Sequence, residues 1–194
     1  MKAADIHALV AARPQALVGI RHSVLLLGAG WTWLARVPAS VASAGQIPSP
    51  REGFPAPNFT LNVVDGQAAT LSAYRGKVVI LNLWASWCGP CRAEMPAIQQ
   101  VYAANRGRGL EVLAVNSTIQ DTAVDAQTFA QNLGLTFPIL LDPDGAVSRR
   151  YLLRALPSTF FIDRKGMIRT VVFGGPMSAA TVETKIQALL LEAP

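Results

Sequence analysis

The sequence contains two cysteines, Cys88 and Cys91, within Trp84-Ala85-Ser86-Trp87-Cys88-Gly89-Pro90-Cys91. A pair this close cannot staple distant segments together, so it is not a structural framework. It can instead carry thiol–disulfide exchange: one thiolate attacks a disulfide and the second thiol resolves the mixed species. The bland alternative is a stable local disulfide or two inert thiols. It is disfavoured because a chain in need of a cross-link gains more from closing a longer loop. A structural zinc site needs about four ligands, and the only histidines are His7 and His22, far upstream.

Exchange needs an ionised nucleophile, and an ordinary cysteine has a pKa of about 8.5. The start of a helix lowers it, because unpaired N–H groups and the positive end of the helix dipole favour the thiolate. Cys88 sits at such a start. Pro90 suits a first helical turn, where a missing N–H costs nothing. Cys91, three residues on, shares the helix face of Cys88, with Cα atoms expected roughly 5–6 Å apart, within disulfide reach. Gly89 lets a substrate backbone come close, and Trp87 offers an apolar docking surface. Trp84 reads as a core residue. Glu94 follows Cys91 by three positions on the same face. It is read either as an acidic residue favoured by the helix dipole or as a proton acceptor for a buried, reluctant Cys91 thiol.

The elements that position these residues follow from the apolar pattern. Lys77–Ala85 is a near-continuous apolar run, as in a strand covered on both faces. A helix is predicted from Pro90 to about Asn105, interrupted by Pro96. Leu110–Asn116 is a second buried strand, Thr122–Leu133 a helix stopped by Gly134, and Phe137–Leu141 a short strand. Ala146–Tyr151 is a short helix. Ser158–Asp163 and Met167–Phe173 form a hairpin, and Ser178–Leu191 is a closing amphipathic helix capped by Ser178. Upstream, Phe59–Val64 and Ala69–Leu71 flank the turn signal Asp65-Gly66. The expected fold is α/β, a central mixed β-sheet with helices on both faces.

The strand followed by WCGPC, then CRAEMP, AVN and LPSTFFID, resembles the thioredoxin superfamily, and within it the TlpA/ResA-like extracytoplasmic thiol–disulfide oxidoreductases. The resemblance covers about Phe54 to the end. It implies a thioredoxin-like fold with an N-terminal β-hairpin extension. It also implies a reductase of disulfides in extracytoplasmic proteins, as in cytochrome c maturation, cycling Cys88 and Cys91 between dithiol and disulfide without metal or organic cofactor. Pro157 matches the position of a cis-proline facing the active site. The Leu156 backbone beside it would pair with an extended substrate segment. At the position of Glu94 the resemblance assigns a role in thiol chemistry. Asn82 departs from thioredoxin itself, which carries a buried aspartate there. Gly174-Gly175 reads as room beside the site or as a plain turn. The implied partners are a disulfide-containing protein and a membrane electron donor of the CcdA/DsbD type.

Two other readings of the cysteine pair fit the residues less well. In a peroxiredoxin pattern, Pro-x-x-x-Thr/Ser-x-x-Cys, a register ending at Cys88 puts Leu81 and Ala85 at the key positions. A register ending at Cys91 puts Trp84 and Cys88 there, and neither fits. A copper-binding thioredoxin-fold module would need a distal histidine, and none follows His22.

Composition narrows the context. The chain has 194 residues, is 51% apolar and carries a net charge of +5. Residues 1–44 hold +3 of that, and no Lys/Arg cluster interleaves with aromatics, which argues against nucleic-acid binding. Ser23–Ala35 is uncharged, and Ala42-Ser43-Ala44 fits a signal-peptidase site. Residues 1–44 are therefore expected to be a cleaved signal or an anchor running from about Ser23 to Ala44. Lys2, Arg13 and Arg21 place the N-terminus inside and the remainder outside the cytoplasm. Residues 45–58, with four prolines, read as an extended linker, so the folded domain is expected over 59–194.

Overall fold

The computed structural model describes residues 46–64 and 66–192. The expected signal or anchor, and Asp65 of the predicted turn, lie outside the described residues. Seven strands form one sheet: β1 (Thr60–Val63), β2 (Ala68–Thr70), β3 (Val78–Trp84), β4 (Leu110–Asn116), β5 (Ile139–Leu141), β6 (Ser158–Ile162) and β7 (Ile168–Phe173). Their spatial order is β2-β1-β5-β4-β3-β6-β7. β3, β4 and β5 run parallel, while β6, β7, β1 and β2 pair antiparallel. The helices are α1 (Gly89–Asn105), α2 (Ala123–Asn132), α3 (Ala146–Arg150) and α4 (Ala179–Leu191).

Every residue of β3 is buried, because alternate side chains feed two cores. Val78, Ile80 and Trp84 join Met95 and Ile98 of α1, Phe129 of α2 and Val182 and Ile186 of α4 on one face. Val79, Leu81 and Leu83 join Phe59, Leu71, Val147, Tyr151 and Phe160 on the other. Three helices thus share one face; the second is closed by short α3 and by the segment before and after the N-terminal hairpin. Trp84 is fully buried against Phe129, ring centroids 4.7 Å apart.

Two expectations are corrected. Helix α1 runs through Pro96 without interruption. The acceptor that Pro96 leaves free belongs to Arg92, on the same exposed side of the helix, where water can satisfy it. The stretch expected as a linker is part of the folded unit from Ser49 onward. Pro55 bridges to Met167, Gly53 N–H donates to the Ile168 carbonyl, and Ala56 is buried. The Tyr151 hydroxyl donates to the Pro57 carbonyl at 2.7 Å, and Arg150 reaches the Asn58 carbonyl. The physical reason is the edge of β7: its unpaired backbone groups need a partner, and Val171 N–H finds the Glu52 carboxylate.

Candidate active site

Strand β3 ends at Trp84, and four residues later Cys88 is the N-cap of α1, in an extended conformation. Its sulfur accepts from the Cys91 N–H at 3.2 Å, one of the orphan donors of the first turn. Cys88 and Cys91 form a disulfide with Cα atoms 5.2 Å apart, within the range their spacing predicts. Cys91 is fully buried and Cys88 is 4% exposed, so only Cys88 reaches the surface. Gly89 and Pro90 form the first two helical positions, and a Cβ on Gly89 would meet nothing within 4 Å. Trp87 is 59% exposed, its indole N–H anchored on the Gln120 carbonyl at 2.9 Å.

The peptide bond Leu156–Pro157 is cis, as the resemblance implies. Trp87, Cys88, Gly89, Pro90 and Leu156 line one groove of about 780 Å³. Ile119, Leu152, Arg149 and Arg154 line it too. Pro157 itself does not line this groove: it is buried, and its carbonyl accepts from Gly174 N–H. The candidate residues Trp87 to Pro90 and Leu156 thus converge, from two segments nearly 70 positions apart in sequence, on one opening.

Glu94 is fully buried one turn below. The Asn82 amide donates to its Oε1 at 2.8 Å, and Met177 N–H donates to its Oε2 at 3.2 Å. Burial pushes its carboxyl up, against the lowering effect of Met177 N–H and Asn82. Asn82 also donates to Thr159 Oγ1 at 2.8 Å, which ties β3, β6 and α1 together around the carboxyl. A Cβ on Gly175 would lie 2.8 Å from Glu94 Oε2 and 3.0 Å from Pro157 Cγ. Room beside Glu94 therefore accounts for Gly175, whereas Gly174, at φ +77° with nothing within 4 Å of a Cβ, is the glycine of a turn. The following bond, Gly175–Pro176, is a second cis peptide.

Asp121 carries no signal in the sequence reading, yet it holds the loop before the nucleophile. Its carboxylate accepts from Ser86 N–H at 2.6 Å, the Ser86 hydroxyl at 2.8 Å, Asn116 Nδ2 at 2.8 Å and Thr122 N–H at 2.9 Å. Burial works against this carboxylate, but those four donors outweigh it and hold its carboxyl below the usual range. Ile119, Leu152 and Arg154 were also unassigned, because only the fold brings their loops to Cys88.

Comparison with known proteins agrees with this geometry. The sequence model described as AhpC/TSA family matches residues 53–171. The chain is 37% identical over 137 residues to the thiol-disulfide oxidoreductase ResA of Geobacillus kaustophilus (strain HTA426), covering 71% of this chain and 77% of that protein. Among solved structures, a thiol:disulfide interchange protein of the thioredoxin family from Chlorobium tepidum TLS aligns with a TM-score of 0.64 at 25% identity, covering 75% of this chain and 99% of that one. StoA from Bacillus subtilis aligns at 0.60 and 28% identity, covering 68% and 97%.

Proposed function

This chain belongs to the AhpC/TSA family and is a thioredoxin-fold thiol–disulfide oxidoreductase of the ResA type, and from that premise we propose that it reduces disulfides in extracytoplasmic proteins through Cys88 and Cys91. The observation that carries the reading is the redox pair at the N-cap of α1, with Cys88 alone reaching an open groove.

In the proposed cycle the Cys88 thiolate attacks a disulfide sulfur of the partner, and the departing thiolate takes up a proton. The mixed disulfide is held while the free backbone groups of Leu156, beside Pro157, pair with the extended partner segment. Trp87 supplies apolar contact area, and Gly89-Pro90 leaves room for the partner chain. Cys91 then loses its proton and attacks Cys88, releasing the reduced partner and restoring the disulfide. Glu94 is the proposed acceptor of the Cys91 proton. A carboxylate buried without a cation nearby is a stronger base than an exposed one. The two electrons are returned by a membrane donor of the CcdA/DsbD type. Cytochrome c maturation is the process the reading favours, with the domain held outside the cytoplasm by residues 1–44. No helix among the described residues is long and apolar enough to cross a membrane.

Trapping with Cys91→Ser tests the reading. The variant is expected to accumulate a partner linked to Cys88, because the resolving thiol is gone. Full insulin-reducing activity in Cys88→Ala would overturn it.

A further inference from the structure

We infer that the groove beside Cys88 selects disulfides flanked by an extended segment that is both apolar and acidic, with Leu152 and Arg154 as specificity-determining residues; the inference rests on the reductase reading above.

Leu152 is the first observation. Its φ is +52°, and no other described non-glycine residue has a positive φ. An L-residue in this region crowds its Cβ against the backbone, so leucine is held there against its preference. Nothing in the core requires it: Leu152 belongs to neither buried cluster and is 50% exposed. Backbone strain without a packing return is characteristic of binding surfaces. The side chain faces the groove with Trp87 and Ile119, themselves 59% and 53% exposed. These three are exposed apolar side chains of the groove and offer contact area to a partner side chain.

Charge is the second. The charged residues lining the groove are Arg149 and Arg154, and no carboxylate lines it. Arg149 already donates to the Asp144 carbonyl at 2.8 Å, whereas Arg154 has no partner among the described residues. The acidic groups on neighbouring loops are engaged elsewhere. Asp121 accepts four hydrogen bonds, Asp142 caps α3 through Val147 N–H and Ser148, and Asp144 accepts from Ala146 N–H. Arg154 thus stands on the rim without an ion-pair partner among the described residues, which favours a partner carboxylate and sets its register. The third observation is Leu156, whose backbone groups have no hydrogen-bond partner among the described residues and are available to an extended strand.

The test uses the full-length protein, reduced beforehand, in single turnovers against three synthetic peptides. Each carries one intramolecular disulfide flanked by leucine and by Asp, Asn or Lys. Two electrons and two protons pass from Cys88 and Cys91 to the peptide disulfide, so no other reductant is needed. The Asp peptide is expected to half-saturate at a concentration about fivefold lower than the Lys peptide, a difference that collapses in about 0.5 M salt. Arg154→Glu should reverse the preference. Leu152→Gly should raise half-saturation about fivefold for all three peptides without lowering Tm, since glycine accepts this backbone conformation. A merely structural Leu152 would not separate affinity from stability in this way. Reduction of insulin with equal handling of the three peptides overturns the specificity alone. Failure to reduce insulin overturns the reductase reading and this inference with it.

Discussion

Two carboxylates with opposite environments flank the redox pair, and their acidities make opposite predictions. Glu94 has its carboxyl raised by burial, so the folded state holds that proton more tightly than the unfolded chain does. Its contribution to stability is greatest at low pH and declines as pH rises above about 4.5, through the raised folded value. Glu94→Gln should therefore gain in urea midpoint relative to the parent between pH 5 and pH 8, and less below pH 4. The same variant should slow release of the trapped partner if Glu94 is the proton acceptor proposed for Cys91. Asp121 has a lowered carboxyl despite its burial, so its contribution is present above about 3.8 and is lost as pH falls through the depressed folded value. Asp121→Ala should cost about 1–3 kcal/mol at neutral pH, since it leaves buried donors unpaired, measured by urea unfolding. It should also slow alkylation of reduced Cys88 by loosening Ser86 and Trp87.

Between elements, the loop that joins β7 to α4 packs closely against Glu94 and Pro157. A Cβ on Gly175 would lie 2.8 Å from Glu94 Oε2, closer than real Cβ atoms come, and tightly against Pro157 at 3.0 Å, so Gly175→Ala should destabilise by about 1–3 kcal/mol. Gly107, with nothing within 4 Å of a Cβ, should accept alanine at little cost or with a slight gain. Thermal melts of the two variants separate the cases. This loop also shows where the sequence stops being legible. The strand-to-helix junction at Cys88 could be read locally, because Pro90, the apolar run before it and the cysteine spacing all report on one turn of backbone. Thr122 and Ser178 are caps for the same local reason, accepting from the N–H groups of Asp125 and Thr181. Pro157 was legible only through the motif around it. Asp121, Leu152 and Gly175 act across loops that the fold assembles, and their neighbours in sequence say nothing about what they touch.

Over the whole molecule, the misread segment was the proline-rich one. Four prolines suggest a free linker, but composition does not reveal that a distant strand edge needs covering. The consequence is measurable by hydrogen exchange. The amides of Gly53 and Ala56 donate to the Ile168 and Gly166 carbonyls, so they should be protected at levels close to β7 itself and not exchange as a flexible tether. The seven-strand sheet fixes β3 so that its end and the start of α1 meet beside Pro157, where the proposed attack on a partner disulfide takes place. The proposed chemistry requires Cys88 to be the acidified thiol of the pair. Iodoacetamide alkylation of the reduced protein across pH, with each site resolved by mass spectrometry, tests it most directly. Cys88 should react first, with a midpoint clearly below the ordinary value of about 8.5, while Cys91 stays slow. Equal rates at both cysteines with an ordinary midpoint would contradict it.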